Sequence, residues 1–249
     1  MLLGMMSTPP PHFPTMKPNT IRKLHRWLGL LFSVSILMSA LSGVIHTVMT
    51  RTQAPPPPAR PSGGGLDPAA IRVSVADAIA KLPAESRAVH AVNLRGIGGE
   101  PWYQIYGGAK GVPFYVSAGD GHVDPAQDER YATEIASAFL GGAKVTKTGY
   151  LTAFDNEYIN IFRVLPVYRF AANDALETRV YVSTVTGSVT RHTDKQRQFE
   201  ANIFTNFHKL GFIPDKNFRD FILAFLTGGT ALAALAGIVL FFATRPRRQ

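Results

Sequence analysis

Two stretches of this 249-residue chain are long and apolar enough to limit what everything else in it can do. From Leu28 to Thr50 the only ionisable side chain is His46, and from Phe221 to Phe242 there is none. A helix rises 1.5 Å per residue, so about 20 such residues cross roughly 30 Å of hydrocarbon. Either run suffices, and the expected framework is two transmembrane helices with the remaining residues hung between them. Lys17, Arg22, Lys23 and Arg26 precede the first run, and Arg245, Arg247 and Arg248 follow the second. Cytoplasmic flanks are the ones enriched in Lys and Arg. Both termini are therefore expected in the cytoplasm of a bacterial inner membrane, with residues 51–217 on the periplasmic side.

The formal net charge of +9 collects at those flanks, while residues 51–217 are nearly balanced. The basic excess is thus a signal of topology and implies no nucleic-acid partner. A cleaved signal peptide is the competing reading of the first run, with small residues at Ala40 and Ser42. The run continues through Val48 and Met49, longer than a signal's apolar core, and the second run would anchor the chain in either case. Cysteine is absent, which excludes disulfides and thiolate metal sites.

Composition divides the rest. Residues 1–19, with five prolines, read as a disordered tail, and Thr20 as the N-cap of a first transmembrane helix over 20–50. Residues 51–66 form a Pro- and Gly-rich linker. Two similar units follow, 67–127 and 128–198. In the first, Trp102-Tyr103 leads to Tyr115-Val116-Ser117 and then Gly121; in the second, Val167-Tyr168 leads to Tyr181-Val182-Ser183 and then Gly187. Such an offset of some 65 residues is an internal repeat. Each unit opens on a helical pattern, Ser74 to Lys81 and Asp128 to Leu140, and continues with alternating strand candidates at 89–94, 102–106, 113–117, 167–170 and 178–182. An interfacial segment, 199–217, a second transmembrane helix, 218–243, and a basic tail, 244–249, complete the chain. The fold class expected is α+β, with two transmembrane helices flanking an extracytoplasmic domain made of one helix and an antiparallel sheet, used twice.

The run Arg22-Lys23-Leu24-His25-Arg26-Trp27-Leu28-Gly29, the Leu41-Ser42-Gly43 step, the Pro166-Val167-Tyr168-Arg169-Phe170 and Tyr181-Val182-Ser183 strands with Thr186-Gly187, and Phe207-His208-Lys209-Leu210 together resemble the PepSY family, in particular its members with associated transmembrane helices. The resemblance covers most of residues 20–245. It departs from the family at Ser117 and Ser183, where Asp is common, and in having two spans where the ferric-siderophore reductases have four. What it implies is a PepSY-repeat fold, a role in iron or ferric-siderophore reduction, and haem b held by histidines.

His25 and His46 are the residues to test for that chemistry. At 1.5 Å and about 100° per residue their spacing gives a separation of about 31 Å with both rings within about 60° of one face, one near each border of a bilayer. Ionisable side chains at such positions mark sites more often than packing. His208, just before the second run, is the natural partner for His46 on the outer side. All three are candidate haem-iron ligands, with bis-imidazole ligation suited to electron transfer. Small residues at Ser35, Ser39 and Gly43, and at Gly229, Ala233 and Gly237, invite close helix contact, within one chain, in a homodimer, or with another membrane protein. No phosphate loop, zinc motif or nucleophile elbow is present to supply a nicotinamide or flavin site. The alternative is a non-enzymatic PepSY module, anchored to the membrane lipid by its spans, that binds or restrains a partner protein.

Overall fold

The structure, a computed structural model, describes residues 18–53, 65–108, 112–162 and 164–244. The expected N-terminal tail, most of the linker and the basic end of the C-terminal tail lie outside these. The chain is mixed α+β and divides into two compact units, residues 1–53 with 200–249, and residues 54–199.

The first unit is built on two long helices, α1 (Pro18–Thr52) and α5 (Lys216–Ala243). α1 begins at Pro18 rather than at the Thr20 cap expected from sequence, because proline costs nothing in the first turn, where its missing N–H has no partner to lose. α5 is capped by Asp215, whose carboxylate accepts from the Phe218 N–H at 2.6 Å. Both helices are long and apolar enough to cross a membrane, with mean hydropathies of 2.2 and 2.1, and only 11% of each apolar window is buried within the chain. A soluble core helix would be mostly covered, whereas here Leu30, Leu31, Val34, Phe241 and Phe242 stay open. The helices meet where side chains are small. Phe32 is 3% exposed, and a Cβ added to Gly229 would lie 2.0 Å from its ring.

The second unit holds two antiparallel sheets. Helix α2 (Val75–Ala80), capped by Ser74, precedes β1 (Val89–Ile97), β2 (Glu100–Gly107) and β3 (Phe114–Ser117), which pair in that order. Helix α3 (Gln127–Phe139) precedes β4 (Val145–Leu151), β5 (Val167–Ala172), β6 (Arg179–Ser183) and β7 (Ser188–Thr193), also in sequence order. The registers correspond: Tyr103 faces Val116 as Tyr168 faces Val182, and Gln104 faces Tyr115 as Arg169 faces Tyr181. Val116 also bridges Val123, a single-residue counterpart of the β6–β7 pairing.

Strand alternation gives each sheet two faces. Tyr103, Ile105 and Val116 pack on Ala78 of α2 and on Leu82 just after it. The opposite face of that sheet, with Trp102 and Tyr115, shares a core with α3, whose Tyr131, Ala132 and Ile135 also cover Phe170 and Val182 of the second sheet. α3 is therefore a filling between two sheets. Beyond the second sheet, residues 152–162 and 164–166 fold back as a strap, burying Tyr158 against Val167 and Tyr181. The order through the unit is α2, first sheet, α3, second sheet, strap.

Candidate functional site

The three histidines singled out from sequence all belong to the unit of α1 and α5, and each is fixed through the same ring atom. His25 Nδ1 lies 2.9 Å from the Ala233 carbonyl of α5. Room for the ring exists because residue 237 is glycine: a Cβ there would stand 2.9 Å from His25 Cε1. A carbonyl only accepts, so Nδ1 carries the proton and donates.

His46 Nδ1 donates to Glu200 Oε1 at 2.6 Å. Glu200 also accepts from Thr50 Oγ1 and Gln53 Nε2. Positions 46, 50 and 53 are spaced four and three apart, so α1 turns one face to a single carboxylate. The Glu200 side chain is 13% exposed while that of His46 is 53% exposed, which leaves the far side of the imidazole open. Glu200 enters from α4 (Lys195–Ile203) and is the sole acidic residue between Asp194 and Asp215.

His208 sits at the end of a five-residue π-helical turn, Phe204–His208, that continues α4. The short interfacial helix expected around it is thus an α-helix widened at its end, a feature that recurs at functional sites. The turn is closed by Leu210, at φ 51°, and by Gly211, whose N–H bonds Thr205 O and whose Cβ, if present, would be 2.4 Å from Thr205 Cγ2. His208 Nδ1 is 3.3 Å from both Ser39 Oγ and Ser42 Oγ. Ser42 already donates its proton to Ser39 O at 2.9 Å, so toward His208 it accepts, and both serine contacts are met together when Nδ1 is the protonated nitrogen.

In a neutral ring held this way, Nε2 is the nitrogen that keeps the lone pair. Among the described residues no hydrogen bond reaches it. This is the arrangement in which an imidazole is ready to ligate or to take a proton, with its other nitrogen tied to an acceptor that fixes tautomer and ring plane.

The structure does not set His46 and His208 face to face. Each ring meets Phe204 instead: His208 stacks on it at 4.6 Å and 12°, and His46 tilts against it at 5.5 Å and 40°. Beside His208 a groove of about 430 Å³ opens between α1 and α5, walled by Ser35, Ser39, Phe207, Leu223 and Thr227. Small side chains on α1 leave this space, consistent with the stripe seen in the sequence. Among the described residues no group of three or more His, Asp or Glu side chains converges as for a protein-only metal site.

The other histidines are placed differently. His122 pairs with Asp120 on the surface and meets the edge of Trp102. His192 lies against Phe139, and burial lowers its pKa, with Arg197 adding to the effect. His90 borders a shallow hollow beside Tyr106, and His12 lies outside the described residues.

A second polar cluster, in the domain of sheets, was not read from sequence. Asp128 is buried at the start of α3 and accepts from Tyr115 Oη at 2.7 Å and Tyr168 Oη at 2.9 Å. Gln104 Nε2 donates to Tyr115 Oη and to Thr184 O, and its own carbonyl accepts from Asn93 and Arg95. The neighbouring Tyr106 hydroxyl is buried and finds no hydrogen-bond partner among the described residues, and burial, reinforced by Asp128, pushes its pKa up to about 12. These hydroxyls are held neutral in the domain's core. They tie the two sheets to α3 and expose no reactive atom.

No family model matches this chain, and no curated protein or solved structure does either.

Proposed function

We propose that this chain is a membrane-anchored PepSY-type protein that binds haem b through its border histidines and passes electrons outward, toward ferric iron or a ferric siderophore. The observation that carries the reading is what His25, His46 and His208 share, each tied through Nδ1 and with no hydrogen bond at Nε2 among the described residues. Lipid on both long helices accounts for their uncovered apolar sides. The basic flanks argue for both ends of the chain in the cytoplasm and for the two-sheet domain, read as two PepSY-like repeats, in the periplasm. His25 then stands near the inner border of the bilayer, and His46 and His208 near the outer one.

Bound haem would supply a one-electron iron couple at each border. The chain's own residues set the terms. Glu200 strengthens His46 as a donor by accepting its Nδ1 proton, as second-shell carboxylates do for ligating imidazoles. Ser39 and Ser42 orient His208 toward the groove, and Ala233 O orients His25. Phe204 touches both outer rings, so His46 and His208 would each hold the group with a mate from elsewhere, and a two-fold dimer would bring each histidine its counterpart.

An absorption spectrum of the purified full-length protein from haem-replete cells tests this directly. A Soret band that weakens in His46→Ala, His208→Ala and His25→Ala, with each variant still in the membrane, is the expected result. A colourless wild-type preparation would overturn the haem reading and leave the partner-binding module in its place.

A further inference from the structure

His25 meets Ala233 and Gly237, and Phe32 meets Gly229, so α1 and α5 lie antiparallel in a fixed register. On that register Leu28 stands level with about Leu232, and Ser39 with about Phe221. The helices are apolar together only between those levels, about 12 residues or about 18 Å, against roughly 30 Å of hydrocarbon. The two apolar runs are staggered, and each overhangs its neighbour.

The overhangs differ in charge. Beside the one on α1, the residues that open α5 settle their charges locally: Lys216 pairs with Asp220 at 2.7 Å, and Asp215 caps the helix. The one on α5 ends with Ile238, Val239, Phe241 and Phe242, each more than half exposed, and beside it α1 carries Arg22, Lys23 and Arg26, all exposed. Helical spacing puts these three cations within about 100° of one another. No acidic residue lies on α1, or on α5 beyond Asp220, to meet them. A bilayer border at Phe242 would sink Arg26 about 12 Å into hydrocarbon, and a border at Leu28 would leave about 15 Å of apolar α5 in water. Both are costly.

We propose that an anionic phospholipid is held at this step, its phosphate among Arg22, Lys23 and Arg26 and its acyl chains along the apolar end of α5. This rests on the reading of α1 and α5 as membrane spans. One such molecule answers both halves of the mismatch. Its phosphate accepts charge-assisted bonds from guanidinium and ammonium groups that reach back toward the border, and its chains cover what those side chains leave bare. A zwitterionic headgroup brings its own cation and leaves the three charges unmet, and an acidic protein segment brings charge without chains.

Trp27, 67% exposed and about 40° from Lys23 around the helix, is the natural reporter. The full-length protein is reconstituted into phosphatidylcholine bilayers holding a minor fraction of phosphatidylglycerol, with bromine, a contact quencher of indole fluorescence, on the chains of one lipid or the other at equal mole fraction. Trp27→Phe gives the signal of Trp102 for subtraction. Bromine on phosphatidylglycerol should quench Trp27 severalfold more than bromine on phosphatidylcholine. That excess should survive at about 1 M salt, where a Debye length of about 3 Å abolishes diffuse enrichment, and should vanish in the Arg22→Gln, Lys23→Gln, Arg26→Gln triple variant. Equal quenching by the two lipids would overturn the proposal, as would an excess that salt removes or that the triple variant keeps. Leu31→Trp in the Trp27→Phe background is the reference for the span. With that reference quenched, a Trp27 touched by neither lipid would also overturn the proposal, since protein then covers the step. An unquenched reference would show instead that the span reading had failed, a result separable from failure of the lipid site alone.

Discussion

An imidazole can act as ligand or base only at the nitrogen that carries no proton, so its partner at the other nitrogen decides what the ring can do. Glu200 has that power over His46. Glu200→Ala should weaken haem retention at the outer border by about 10- to 100-fold, the usual cost of losing a second-shell carboxylate, whereas Glu200→Gln, which keeps an acceptor oxygen, should lose less. Titrating haem into the apoprotein and following the Soret band separates the two. Asp128 does a structural task of the same kind. Asp128→Ala leaves the Tyr115 and Tyr168 hydroxyls buried without their acceptor and should cost about 2–4 kcal/mol, against about 1–2 kcal/mol for Tyr168→Phe, which removes one donor with its need. Urea unfolding of the full-length protein, followed by near-ultraviolet tyrosine dichroism, would measure both. Of these partners only the histidines were legible in the sequence. Glu200 lies 154 residues from His46, and nothing in local spacing announces a contact of that range.

Elements carry the next set of consequences. Gly229 is where Phe32 presses α1 onto α5, so Gly229→Leu must drive the helices apart; a label pair at Leu31 and Leu232 should report a longer, broader distance distribution. The strap has its own sensitivity. Burial pushes the Glu157 carboxyl up, but hydrogen bonds from Arg179 and Tyr181 outweigh it and hold the net value below the ordinary 4.5. A depressed folded pKa stabilises above the unfolded value and ceases to do so as pH falls through the folded one. The strap should therefore keep its hold at neutral pH and loosen at acid pH below 4.5, seen as faster hydrogen exchange at residues 155–159 with α3 still protected. Helix starts and the strands bearing tyrosine could be read in advance because their patterns are strong: Ser74 before an apolar run, and alternation in β2 and β5. Strands β4 and β7 could not. Lys147, Thr148 and Gly149 break the alternation in β4, and Ser188, Thr190, Arg191 and His192 make β7 look like a loop, although Thr190 bonds Tyr181 O and Arg191 bonds Gln198 of α4.

At the scale of the whole molecule, orientation is the first thing to test. A reporter active only in the periplasm should work when fused after Gly65 and fail when fused after Gln249; activity at both would mean that the basic flanks had been misread. The two-part architecture was visible beforehand, since apolar runs and a repeated tyrosine pattern are both local signals. What was hidden is that the halves are not equal. α3 belongs by sequence to the second half, yet it also covers the far face of the first sheet, with Asp128 holding a tyrosine from each. A fragment ending before α3 would leave Trp102 and Tyr115 bare, while one beginning at α3 keeps its own sheet lined. Growth by adding further units is thus directional, like stacking cups: each new helix closes the sheet behind it and opens one ahead. The strap puts Glu157 where a third helix would bring its own acid, giving Tyr181 what Asp128 gives Tyr115. It lids the second sheet as α3 lids the first.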